Sequence, residues 1–379
     1  MKAIPLDSNA TKRHVYLDIA RVFAILSITC YHAFSRSFAL GVNHLQEYTS
    51  HCLLFTVLKS LLYVFCRLGV PMFLAITGAL LLNKSMESSR DLSRFYKHNW
   101  LSLLITTEIW YVIMYWFVLL SPGNTVLETQ GLGVAIVGMI KTMLFIDQTT
   151  LSSMWYMPMI LCVYTTIPFM NIVKNKLSGM NALKYLLIPL ILTYCVSTML
   201  PVINDLQTVN SRATWSGALS ESNLISQYYL YIFIGYFVSK GMLQRFKTRY
   251  ILLGAGLSLA VCWAYQFYGF SQTNTLYMRY QFPMLPICAG FLLELFRRLP
   301  QLPKKCAGVF AYLSKISFAI YFVHILLVTA LTWIPAIHLL PVHFKFALLE
   351  AVSFGGSILI IAPLSQIPFL RKHLFLIKA

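Results

Sequence analysis

The sequence predicts an all-α fold, a polytopic membrane bundle of about ten transmembrane helices with both termini cytoplasmic. Three observations carry this. Of 379 residues, 58% are hydrophobic and only 11% charged, whereas a soluble domain carries about 25% charged residues; the mean hydropathy of +0.69 agrees. The apolar segments run to roughly 20 residues or more, the length a helix needs to cross about 30 Å of hydrocarbon and longer than the alternating strands of an outer-membrane barrel. Finally, Lys and Arg alternate between loops in the way the positive-inside rule demands.

The spans are read at 16–38, 58–83, 97–120, 153–173, 182–201, 224–243, 249–269, 278–298, 308–333 and 342–367. Residues 131–147 start with glycines and contain Lys141, and fit an amphipathic helix at the interface better than a span. Residues 39–57 are irregular, with Asn43, His44, Gln46, Glu47 and His51. With the N-terminus in the cytoplasm, 22 of the 30 Lys and Arg fall in the inner loops, six fall outside, and Arg21 and Arg67 lie within spans. An eleventh span would invert the second half and destroy that bias. The topology also accounts for most of the net charge of +18, so no nucleic-acid partner is invoked. Lys12, Arg13 and His14 precede the first span with no small-x-small cleavage site after it, so that span is expected to be retained. The eight cysteines show no CxxC or other metal spacing and read as small apolar residues, so no metal is expected. No segment is large enough for a separate soluble domain, and residues 1–379 are read as one integral-membrane unit.

The first span, YLDIARVFAILSITCYH from Tyr16 to His32, carries Asp18, Arg21 and His32. Eleven residues are roughly three helical turns, so Arg21 and His32 share a face about 16 Å apart along the axis. Asp18 lies one turn below Arg21, within pairing reach. Ionisable groups inside a bilayer usually face the bundle interior and mark a functional path. The alternative is a snorkelling Asp–Arg pair with His32 a packing histidine. The topology puts Arg21 toward the inner side and His32 past the midplane, a layout that suits a ligand entering from the cytoplasm with an anionic head and a long reach.

Other polar residues extend the set. Arg67 sits in a span interrupted by Pro71 and Gly78, as a site residue or on a kinked packing helix. Arg94 and Lys97 lie at the inner mouth, a position the positive-inside bias alone explains. Glu108 is near mid-membrane, a functional candidate or a structural partner of Arg21 or Arg67. Trp155 sits at the outer interface, where an aromatic belt also accounts for it. His324 lies at a depth like that of His32, so the two are expected to meet across the bundle, with Glu350 a further candidate partner.

These residues resemble the motifs of the acyltransferase-3 family, membrane-bound bacterial O-acyltransferases that modify surface polysaccharides. Arg21, ten residues and His32, preceded by Leu17–Asp18, match its R-X10-H signature. RLGVPMFLAITGALL, Arg67 to Leu81, is similar to its R-x-x-V-P-x-F-x-x-S-G-Y-L element. MWYMPMILCVYTTIP, Met154 to Pro168, resembles its H-L-W-F segment, and SFAIYFVH, Ser317 to His324, its late S-x-x-I-Y-x-x-H. The resemblance covers nearly the whole chain and is strongest to the branch containing the enterobacterial common antigen O-acetyltransferase. The chain departs where S-G-Y-L reads Thr77-Gly78-Ala79-Leu80 and where Ser153-Met154 replaces the His before Trp.

The resemblance implies a multi-pass protein of the bacterial inner membrane and an acyl-CoA donor, acetyl-CoA first among them. The implied acceptor is a hydroxyl of a surface polysaccharide or lipid-linked glycan. On that reading Arg21, Arg94 and Lys97 bind the phosphates of the donor, since guanidinium groups engage phosphate in bidentate fashion. His32 is the expected general base, because imidazole titrates near neutral pH, although an acyl-imidazole intermediate stays open. Asp18 orients Arg21. Arg67, Glu108, Trp155 and His324 are expected on the acceptor side, with oxyanion stabilisation an open role for Arg67 and His324. The rival is a transporter or flippase for a glycan or lipid; midplane polar residues suit one, but no paired inverted halves are evident.

Overall fold

The structure, a computed structural model, describes residues 15–38, 53–84, 86–147, 152–176, 180–210, 228–272 and 276–377. Every regular element among them is helical. In chain order the longer ones are α1 (Val15–Ser37), α2 (Leu53–Arg67), α3 (Gly69–Leu81), α4 (Ser89–Leu119), α5 (Val126–Met143) and α6 (Tyr156–Lys176). They continue with α7 (Met180–Val209), α8 (Tyr228–Ser239), α9 (Thr248–Gln272), α10 (Met284–Arg297), α11 (Lys304–Thr332) and α12 (Val342–Leu364). Within the described residues, seven helical stretches are long and apolar enough to cross a bilayer: α1, α2 with α3, α4, α6 with the turn before it, α9, α11 and α12. The expected spans at 182–201, 224–243 and 278–298 coincide with α7, α8 and α10. The irregular stretch expected at 39–57 lies mostly outside the described residues.

One of those helices is shorter than the sequence reading. Helix α10 has 14 residues, about 21 Å of helix, under the hydrocarbon thickness. The reason at α10 is the segment 276–283, which is not helical. Its backbone is satisfied by side chains. Gln266 donates to the Leu276 carbonyl and accepts from the Met278 N–H. The hydroxyls of Tyr63, Tyr231 and Tyr194 donate to the carbonyls of Met278, Tyr280 and Gln281 at 3.4, 2.5 and 3.0 Å. Irregular backbone is tolerated at membrane depth only where protein meets its polar groups, and here tyrosines do so. In α5, Gly131 is left-handed (φ 80°) and interrupts the helix, so the remainder is too short to span.

Helix α1 is the centre of the bundle. It packs on α2, α3, α10, α11 and α12 and buries Asp18, Ser27, Thr29 and His32 along with its apolar residues. Beside it α3 and α8 cross with their backbones in contact. A Cβ on Gly78 would stand 1.8 Å from the Ile232 carbonyl oxygen, and one on Gly235 would stand 1.8 Å from that of Ala75. Small residues permit this approach, which replaces side-chain interdigitation.

At one end, polar contacts tie together the segments whose Lys and Arg the sequence assigned to the inner side. Buried Glu294 pairs with Arg297 and Arg298 at 2.7 Å each. Arg298 also donates to the carbonyls of Leu243 and Phe246, in the turn between α8 and α9. Asn171 donates to the carbonyls of Leu81, Leu82 and Lys84 just past α3.

Candidate functional site

Helices α1 and α11 build the site between them. Arg21 Nη1 donates to Ser314 Oγ at 3.0 Å, and fifteen residues on Arg36 Nη2 meets Thr329 Oγ1 at 3.4 Å, both pairs separated by 293 in sequence. A constant offset means the two helices run parallel and in phase. Between those rungs the imidazoles of His32 and His324 face each other, with ring centroids 5.2 Å apart. The two deep histidines therefore meet, as their similar depth predicts.

The pair is chemically unequal. His324 is fully buried, and its Nδ1 lies 2.9 Å from the Ile320 carbonyl one turn below. A carbonyl only accepts, so Nδ1 carries the proton and Nε2 of the neutral ring holds a lone pair. That Nε2 is buried and has no hydrogen-bond partner among the described residues. His32 is nearly buried, with Tyr31 beside it at 5.3 Å and the charge of Arg36 one turn above.

Arg67, at the end of α2, closes another side. Its guanidinium stacks on Tyr280 at 3.6 Å, with Tyr31 and Tyr63 at 5.3 and 5.9 Å. It is 8% exposed, its Nε lacks a partner, and among the described residues it has no carboxylate within ion-pair distance. A buried cation is costly unless compensated, and the faces of three tyrosines supply part of that compensation. Tyr280 reaches Arg67 because the non-helical segment 276–283 delivers it there. Its other neighbours are Trp155 at 5.5 Å and, beyond that indole, Tyr228.

The remaining candidates separate from this centre. Asp18 is buried low on α1. Arg94 and Lys97 are exposed on the first turns of α4, away from the histidines along the bundle axis. Glu108 does not pair with Arg21 or Arg67; it forms no ion pair among the described residues, and its buried Oε2 is unmet near Tyr111. The reason is that α4 presents Glu108 toward Tyr111 one turn on, on a helix that packs on α5, α6 and α11 but makes little contact with α1 or α2. Glu350 turns to Thr29 at 2.7 Å and to Ser353 rather than to a histidine.

Sequence reasoning missed Tyr31, Tyr280 and Ser314. The signal for Ser314 was present in principle, since it stands ten residues before His324 much as Arg21 stands eleven before His32. The tyrosines carried none, because a bundle this rich in tyrosine gives no pattern to single them out. Among the described residues no three His, Cys, Asp or Glu side chains gather as a metal ion requires.

Residues 14–365 match the model of the acyltransferase-3 family, described as an acyltransferase domain. No curated protein and no solved structure is matched.

Proposed function

The chain belongs to the acyltransferase-3 family and is a multi-pass membrane acyltransferase; on that premise we propose that it moves an acetyl group from acetyl-CoA to a hydroxyl of a surface or lipid-linked glycan, in the bacterial inner membrane. The observation that carries this reading is the His32–His324 pair, held in a buried seam with a lone pair left open on His324 Nε2.

In this reading His32 is the general base. It takes the proton of the acceptor hydroxyl as that oxygen attacks the thioester carbonyl. The tetrahedral oxyanion is met by the guanidinium of Arg67, whose Nε–H is uncommitted in the described structure. Collapse breaks the C–S bond, and the departing thiolate takes the proton back from the imidazolium. His324 receives a hydrogen bond at Nε2, from His32 or from the acceptor, and holds the pair in register. Arg21, with Asp18 below it and Ser314 across from it, binds the phosphates of the donor, and Arg94 with Lys97 draws the anion to the mouth. Glu108 and Trp155 belong to the acceptor side.

His32→Ala tests the assignment. Membranes holding the variant at wild-type amounts should show acetyl transfer from labelled acetyl-CoA reduced by at least about 100-fold, the range for loss of a general base. Activity within a fewfold of wild type removes His32 from the role.

A further inference from the structure

Lys240, Arg245 and Lys247 lie in the turn between α8 and α9, and Arg249 opens α9; all four are exposed. No Asp or Glu occurs in the chain between Glu221 and Glu294. Glu294, whose end of α10 meets this turn, is buried and already taken up by Arg297 and Arg298. The segment ahead of α4 is different, since it sets Glu87 and Asp91 among Lys84, Arg90, Arg94 and Lys97. The positive-inside rule counts Lys and Arg and is nearly indifferent to acids, so it does not account for this contrast.

The turn is also fixed in shape. Arg298 donates to the Leu243 and Phe246 carbonyls at 2.8 and 2.9 Å and to Thr248 Oγ1 at 3.0 Å. Gly241 takes the left-handed conformation (φ 80°) in which the chain leaves α8. Four like charges are thus presented on a backbone that needs no further ordering to receive an anion.

The surface beside the cations decides which anion. Arg245 and Arg249 lie over the neighbouring rings of Phe246 and Tyr250, at 5.0 and 4.8 Å. Tyr250, Leu253, Leu257 and Val261 return to one azimuth of α9 at about 100° per residue. All four are exposed, the two leucines at 58% and 60%. A soluble phosphate would use the cations and leave that stripe idle. A phospholipid uses both, with its phosphate at the turn and an acyl chain along the stripe. A zwitterionic headgroup brings its own ammonium to a cationic site and gains less there.

We propose that the α8–α9 turn and the α9 stripe form a binding site for an anionic phospholipid. Lys240, Arg245, Lys247 and Arg249 hold its headgroup phosphate, and one of its chains lies along Tyr250 to Val261. Through Arg298 the bound lipid braces α10 and the turn after α8, the helix whose crossing with α3 is the tightest backbone contact in the bundle.

The test uses the full-length protein in a non-ionic detergent, titrated with dioleoyl phosphatidylglycerol, dioleoyl phosphatidylcholine or sn-glycerol 3-phosphate. Native mass spectrometry reads lipid occupancy, and a thermal melt reads Tm. Phosphatidylglycerol should bind at least tenfold more tightly than phosphatidylcholine and raise Tm. The triple variant Arg245→Gln, Lys247→Gln, Arg249→Gln should weaken phosphatidylglycerol binding about 100-fold, about fivefold for each cation removed at a membrane surface. Its Tm without lipid should match wild type, since the three side chains are exposed. Lys304→Gln with Lys305→Gln, exposed cations at the start of α11, should leave binding within threefold. Equal binding of the two phospholipids overturns the site. So does an equal loss in the Lys304–Lys305 variant, which would mean that net charge alone attracts the lipid. Displacement of the lipid by an equal concentration of sn-glycerol 3-phosphate would also overturn it, as the turn would then be a site for a soluble phosphate.

Discussion

His324 commits Nδ1 to its own helix and so presents a lone pair at Nε2, while His32 meets it from α1. That asymmetry makes two similar residues different in chemistry. Arg67 is the third member. Its planar group lies on Tyr280 at 3.6 Å, an arrangement that an ammonium cannot reproduce because it lacks both the flat face and the Nε–H. Arg67→Lys should therefore lower acetyl transfer by about tenfold or more while the protein still accumulates, as a transfer assay normalised to purified protein will show. Near-normal activity would mean that charge alone is needed there. Arg21 and His32 were legible because a helix is periodic and eleven residues return to one face. Tyr280 was hidden because its position depends on an unwound segment, and the apolar run through 278–298 reads as helix.

At the scale of elements, α1 and α11 form a parallel seam whose rungs are Arg21–Ser314, the histidines and Arg36–Thr329. The α3–α8 crossing supports that seam from behind, because α3 also packs on α1. There is no room in it: a methyl group on Gly235 would overlap the Ala75 carbonyl. Gly235→Ala should cost about 1–3 kcal/mol, the range for overpacking a tight contact. A thermal melt of the detergent-solubilised protein reads this as a lower Tm, and an unchanged Tm would show that the two backbones are not in contact. The helices themselves were largely predictable, since long apolar runs admit few other folds. The true length of α10 was not. Tyrosine hydroxyls from α2, α7 and α8 allow the backbone at 276–283 to leave the helix, and those contacts arise only in the assembled bundle.

Across the whole molecule, Arg21, Arg94 and Lys97 lie toward the inner end, and the histidines farther along the α1–α11 seam. A donor with an anionic head would thus be held apart from the reacting centre by the length of the seam. The same bundle with midplane polar groups is what a carrier needs, so enzyme and carrier differ in what leaves the protein rather than in outline. The most direct measurement uses purified protein in proteoliposomes with labelled acetyl-CoA and a glycoside acceptor, following free CoA and acetyl ester together. The account predicts that the two appear one for one, and that both are lost in His32→Ala. Movement of the glycoside across the membrane with no release of CoA would contradict it.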